Sequence, residues 1–200
     1  MSSLSEAGER MIPSRRGDEG DVSAEELVAA LKMKVAAAQE RVYRMYAEEL
    51  LELSVRLLRS HDDAADLLHD TFIVAFADVG TLRQAESLRF WLRKVCVRLA
   101  HRRFRKRKIL RALGFESASE DAALHTLADP GAGPEVQADL RRIDGVLSSL
   151  PENERVAWTL RYVEGHQLED VAYMCDCSLA TAKRRIAAAH QTVVQRSGVK

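Results

Sequence analysis

Two hundred residues suit one large domain or two small ones, and a 46% hydrophobic content lets most of the chain fold. Thirty basic residues balance thirty acidic ones, so net charge points to no polyanionic partner and any such signal must be local. Ten Gly and four Pro argue against a turn-rich sandwich or a Gly-rich nucleotide scaffold, and three Cys exclude a dense disulfide framework and suit a reducing cytoplasm.

In chain order, residues 1–23 are polar, rich in Ser, Gly and both charge signs, and predict a flexible tail without the apolar core of a signal peptide. A helical pattern starts near Ala24, with Ser23 as its N-cap. Residues 1–38 together are read as tail and N-terminal extension. Val42, Tyr46, Leu50, Leu53 and Leu57 then form one apolar stripe at helical spacing. A second helix is expected over 62–78, opened by Asp62 and Asp63, which complement the helix dipole. A third is expected over 86–108, carrying Phe90, Leu92, Val95, Leu99 and Phe104. Residues 39–108 thus predict a first helical domain. Residues 109–134 end in Asp-Pro-Gly-Ala-Gly-Pro and read as a flexible linker. Residues 135–200 predict a second domain of four short helices, over 135–149, 152–163, 167–174 and 179–195. The expected class is all-α: two small helical domains on a linker. No run approaches the ~18–20 apolar residues of a membrane span, so a cytoplasmic protein without membrane insertion is expected.

Charge is unevenly distributed. From Ser87 to Phe115 there is no acid, yet eleven bases occur: Arg89, Arg93, Lys94, Arg98, Arg102, Arg103, Arg105, Lys106, Arg107, Lys108 and Arg111. Residues 40–78 and 116–154 are acidic, and 179–200 is again free of acid. Clustered bases bind a polyanion through counterion release; the bland alternative is a solvated helix face. The C-terminal part adds a sharper pattern. Leu168–Met174 forms one short helix, four residues turn, and Leu179 opens a longer one capped by Ser178 and supported by Thr181. That is helix-turn-helix spacing, with Lys183, Arg184 and Arg185 where base and phosphate contacts are made; ordinary helical hairpins share it.

The stretch Leu147-Ser-Ser-Leu-Pro-Glu-Asn-Glu-Arg-Val-Ala-Trp through Ala172, followed by Ser178-Leu-Ala-Thr-Ala-Lys-Arg-Arg185, closely resembles region 4 of bacterial sigma-70 family factors. Tyr43 to Lys108 resembles region 2, through Asp63-Ala-Ala-Asp-Leu-Leu-His-Asp-Thr-Phe72 and Leu88-Arg-Phe-Trp-Leu92. With only a linker between them, the arrangement is similar to the extracytoplasmic-function (ECF) subgroup. The resemblance implies a specificity subunit that directs bacterial core RNA polymerase to promoter DNA and helps open it. It implies that Asp66, Leu67, His69, Asp70 and Phe72 face the core polymerase. It also implies that Arg89, Phe90, Trp91, Arg98, Arg102, Arg103 and Arg105 engage the minus-ten element, as flipped bases need pockets and cationic contacts. Ser178, Thr181, Lys183, Arg184 and Arg185 are assigned to the minus-thirty-five element, and an anti-sigma factor is expected as a further partner. The chain departs from the pattern at Arg98 and Arg102, where many relatives carry Asn and Asp, and at Asp176, where Gly is common. Cys175 and Cys177 flank that turn and read as small buried hydrophobes rather than metal ligands, because a structural zinc site needs four ligands. No catalytic motif, cofactor, metal site or small-molecule substrate is expected. The alternatives are a stand-alone helix-turn-helix regulator, which would dimerise on paired half-sites, and a helical adaptor.

Overall fold

The computed structural model describes residues 22–113 and 133–198, and these form eight α-helices with no strand among them. The expected flexible tail and most of the expected linker lie outside the described residues. Helix α1 (Ala24–Lys32) opens with the expected cap: Ser23 accepts from the Glu26 amide and Glu26 reaches back to the Ser23 amide, a capping box. Lys34, at φ 59°, turns the chain into α2 (Ala36–Leu58), whose apolar stripe buries Val42, Leu50, Leu53 and Leu57. Arg59 ends α2 in the left-handed conformation (φ 61°), and Ser60 caps α3 (His61–Asp78). Two short 3-10 turns, Val79–Thr81 and Ala85–Ser87, lead into α4 (Leu88–Ala112).

The C-terminal half contains α5 (Pro134–Ser149), with Pro in its first turn where no amide partner is needed, and α6 (Glu152–Trp158). Helix α6 runs into a π-helical turn, Thr159–Val163, which ends at Gly165 with φ 73°. Helix α7 (Leu168–Met174) and α8 (Leu179–Ser197) complete the fold. The expected helices are present, except that the pattern starting at Ala24 is broken at Met33–Val35 into α1 and α2, and the helix expected over 152–163 is α-helical only as far as Trp158. Asp176 holds the turn between α7 and α8 at φ 50°, a conformation short polar side chains tolerate.

Helix α4 organises the packing. Leu92, Val95, Cys96, Val97, Leu99, Ala100 and Phe104 are all buried, and together they spread over more than half of the helix circumference. A helix is buried around most of its circumference only when neighbours cover more than one face. Helices α2 and α3 cover one side and α7 approaches another. The two halves therefore do not stand apart. One apolar cluster runs from Leu53, Leu67 and Leu92 through to Leu160, Val171, Met174 and Ile186. A smaller cluster of Leu147, Leu150, Trp158, Ala189 and Val193 belongs to the C-terminal half alone.

Truncating Leu92, which is 1% exposed, to Ala is expected to cost about 2–5 kcal/mol in urea unfolding. The same change at Met33, 72% exposed, should stay within about 0.5 kcal/mol.

Candidate nucleic-acid interface

Helix α4 carries its bases on more than one face, and the faces have different fates. Towards α3, Arg103 donates to Asp70 at 2.6 Å and to the Asp63 carbonyl at 3.0 Å, and Arg107 pairs with the Asp63 carboxylate. Burial pushes the Asp63 carboxyl up, but Arg107, Ser60 and Arg103 together outweigh it and hold Asp63 below the ordinary aspartate value. Near the start of α4, Arg89 pairs with Glu49 at 2.8 Å. Arg98 sits 3.6 Å from Asp78. Arg102 and Arg105 are exposed, without a hydrogen-bond or ion-pair partner among the described residues. Trp91 is half-buried against the core. The basic helix is thus paired towards α3 at Arg103, Arg107 and the half-exposed Arg98, and open at Arg102 and Arg105.

The recognition-type helix divides similarly. The Ser178 hydroxyl accepts from the Thr181 amide at 3.2 Å and lies 2.9 Å from the Thr181 hydroxyl, so both side chains are occupied in capping α8. Lys183 and Arg184 are exposed, whereas Arg185 turns inward, half-buried. Val171, Ala172, Ala182 and Ile186 pack α7 on α8. Cys175 is buried and its thiol is pushed up to about 12 by burial, with Cys177 adding to the shift, so it stays protonated at neutral pH and packs as an apolar group.

The acidic helix requires a correction. Leu67 and Phe72 do not offer a docking face: Leu67 is 0% exposed, and Phe72 is buried against Tyr43 and Phe76. Five residues apart, the two lie about 140° apart around α3, and Phe72 meets Tyr43 of α2. Asp66, His69 and Asp70 are exposed, and Ile73, 55% exposed, continues their surface in the place expected of Leu67 and Phe72.

Sequence reasoning also missed the residues joining the two halves. The side chain of Glu164, at the end of the π-helical turn, is 8% exposed and gripped by Arg56 at 2.9 Å and by Arg93, which in turn reaches Glu49 at 2.6 Å. Asp144 of α5 takes both guanidinium nitrogens of Arg59, one at 2.8 Å. Arg155 donates to the Leu57 carbonyl and lies 5.6 Å from the Phe104 ring. Tyr173 of α7 stacks on Phe90 with centroids 5.6 Å apart, and the Lys94 ammonium sits 3.2 Å over the same ring. No periodicity marks Glu164 or Asp144, because each is one acid among many until the fold brings its arginine near.

The comparisons with known proteins match this geometry. The family described as Sigma-70 region 2 matches residues 42–109, and that described as Sigma-70, region 4 matches residues 140–192. Together they cover more than half of the chain. The chain is 28% identical over 157 residues to the RNA polymerase sigma-H factor of Pseudomonas aeruginosa, covering 74% of this chain and 80% of that protein. It is 26% identical over 184 residues to the ECF RNA polymerase sigma-E factor of Haemophilus influenzae, covering 82% and 92%. The fold is similar to that of the sigma factor RpoE in its complex with the anti-sigma factor NepR from Bartonella quintana: TM-score 0.64, 23% identity, 80% of this chain and 97% of that one. The presence of both regions disfavours a stand-alone helix-turn-helix regulator.

His101 faces the C-terminal half from α4, and burial with the nearby Arg185 and Arg105 pushes its imidazole down to about 4. Its folded value lies below the ordinary 6.5, so the unfolded chain takes up the proton first and stability falls as pH drops from about 6.5 towards 4. His166 is lowered in the same direction, chiefly by burial. Thermal melts should record a loss of at most about 3 kcal/mol from His101 across that window, and His101→Gln should flatten it.

Proposed function

The chain belongs to the sigma-70 family, in its ECF subgroup, and on that premise we propose how its surfaces divide the work of directing bacterial core RNA polymerase to promoter DNA. The observation that carries the reading is the pair of matches in chain order, region 2 on the half built around α4 and region 4 on the half that ends in α8. The exposed side of α3, with Asp66, His69, Asp70 and Ile73, offers charge and one apolar anchor to the polymerase. The open bases Arg102 and Arg105, with Arg98 beside them in a long, exposed pairing to Asp78, supply the cationic contacts that hold a melted minus-ten strand, with the half-buried Trp91 at the near end of the helix. Arg89 and Arg103, each paired with a carboxylate, support that surface and join it only if their partners are released.

On α8, Lys183 and Arg184 point to solvent from the first two turns, where a recognition helix meets base edges and phosphates of the minus-thirty-five element. Ser178 and Thr181 fix the start of that helix, and Arg185 follows as a half-buried base. A sigma factor makes and breaks no covalent bond; it positions and opens the template for the polymerase, which is why no nucleophile, cofactor or small-molecule site enters the reading. No helix among the described residues is long and apolar enough to cross a membrane, and the work requires the cytoplasm, where the polymerase and the chromosome are. The similarity in fold to a sigma factor seen in complex with an anti-sigma factor supports a protein inhibitor as a further partner.

Gel filtration tests the class: the chain should co-elute with bacterial core RNA polymerase and be displaced by excess of a competing sigma factor. Salt-sensitive binding to duplex DNA without co-elution would instead favour an independent regulator. For the interface, Lys183→Ala with Arg184→Ala should weaken promoter binding by the holoenzyme. For every phosphate that the variant no longer neutralises, the slope of log-affinity against log-salt should become shallower by about 0.9.

A further inference from the structure

A cleft of about 770 Å³ opens where the end of α2 and the second half of α4 meet α5 and the start of α6. Its volume lies within the roughly 300–1,000 Å³ of small-ligand sites. None of the residues assigned above to promoter DNA or to the polymerase lines it.

Its lining is rich in guanidinium groups: Arg59, Arg107, Arg141 and Arg155 stand against two carboxylates, Asp144 and Glu152. Arg59 is spent on Asp144 through both terminal nitrogens. Three cations then stand against Glu152: Arg107, whose Asp63 partner is not part of the lining, Arg141, exposed on α5, and Arg155, 8% exposed. Guanidinium groups converging on a concave surface suit phosphate, which they meet through paired N–H donors. The backbone of a duplex does not reach a guanidinium set as deeply as that of Arg155.

The wall formed by α5 adds acceptors. Arg141, Gly145 and Ser148 follow at four- and three-residue spacing on one helix face, with Ser148 about 11 Å along the axis from Arg141. Ser148 donates its hydroxyl proton to the Gly145 carbonyl at 2.6 Å, which leaves its oxygen to accept, as the Glu152 carboxylate also does. Leu58, Phe104 and Leu150 give the cleft a buried apolar part. Gly145 stands in the interior of α5 with no positive φ and no atom within 4 Å of where a Cβ would lie. Neither backbone conformation nor close packing requires glycine there, and glycine weakens a helix relative to alanine. What the missing side chain preserves is space in the cleft.

We propose that this cleft binds a nucleoside di- or triphosphate. Arg107, Arg141 and Arg155 take the phosphates, Ser148 and Glu152 accept from ribose hydroxyls or a base amine, and the apolar part covers the ring. The site goes beyond the sigma-factor reading and does not rest on it.

Calorimetric titration of the full chain with ATP, GTP and inorganic pyrophosphate tests this. At least one nucleotide is expected to bind with one-to-one stoichiometry and a Kd below about 1 mM, at least about tenfold more tightly than pyrophosphate. Gly145→Leu puts a side chain into the cleft and should abolish binding while the melting temperature stays at or above the wild-type value. Arg141→Ala should weaken binding by at least about tenfold. Arg142→Ala removes a neighbouring exposed base, paired with Asp139 and outside the lining, and should leave binding unchanged. Binding of neither nucleotide overturns the proposal. So does binding that survives both Gly145→Leu and Arg141→Ala, or that Arg142→Ala weakens as much as Arg141→Ala, because the anion then adsorbs to general positive charge. Pyrophosphate that binds as tightly as the nucleotides overturns the nucleotide assignment. If Gly145→Leu lowers helix content by circular dichroism, the contrast between Arg141→Ala and Arg142→Ala decides.

Discussion

Burial of Glu164 between Arg56 and Arg93 is the interaction on which the arrangement of this molecule depends. A carboxylate 8% exposed is tolerated only with its charge compensated, and here the compensation comes from the other half of the chain. Everything around it follows. The π-helical turn and Gly165, held at φ 73°, end the α6 segment so that Glu164 sits at the seam, and Arg93 reaches it from a helix otherwise committed to the core. Tyr173 then finds Phe90 and Lys94 opposite it, and the apolar cluster closes across both halves.

The basic helix α4 shows how one sequence feature serves two purposes. Its eleven-base, acid-free neighbourhood reads as a single polyanion-binding stripe. In the fold, Arg103, Arg107 and, at longer range, Arg98 tie α4 to α3, Arg89 and Arg93 tie it to α2 and to Glu164, and the outward Arg102 and Arg105 remain. Acidic helices α2 and α3 therefore act as internal counter-surfaces before they act on any partner. The pairing of Arg103 with Asp70 joins a residue assigned to DNA with one assigned to the polymerase, so the two surfaces share a contact.

Much of this was legible in the chain. The helices, their caps at Ser23 and Ser178, the turn at Asp176 and the two-region order all follow from local signals: apolar spacing, short polar side chains at helix starts, and bases clustered without acids. Such signals act over three or four residues and are readable without a fold. Leu67 and Phe72 show the limit. On α3 they share a helix with acids that do face solvent, and spacing alone does not say which arc of an amphipathic helix a partner covers.

The sequence by itself determined the class: an all-α chain with two helical units in a fixed order, a basic helix in the first and a helix-turn-helix in the second. It did so because helix formation and motif spacing are local properties of the backbone. Only the tertiary structure decided which bases are spent on internal acids, which residues of α8 point outward, and that the two units close on each other through Glu164 and Asp144. Those choices depend on which groups meet across as many as 108 residues of chain, and an ion pair at long separation leaves no periodic trace in either of the segments that form it.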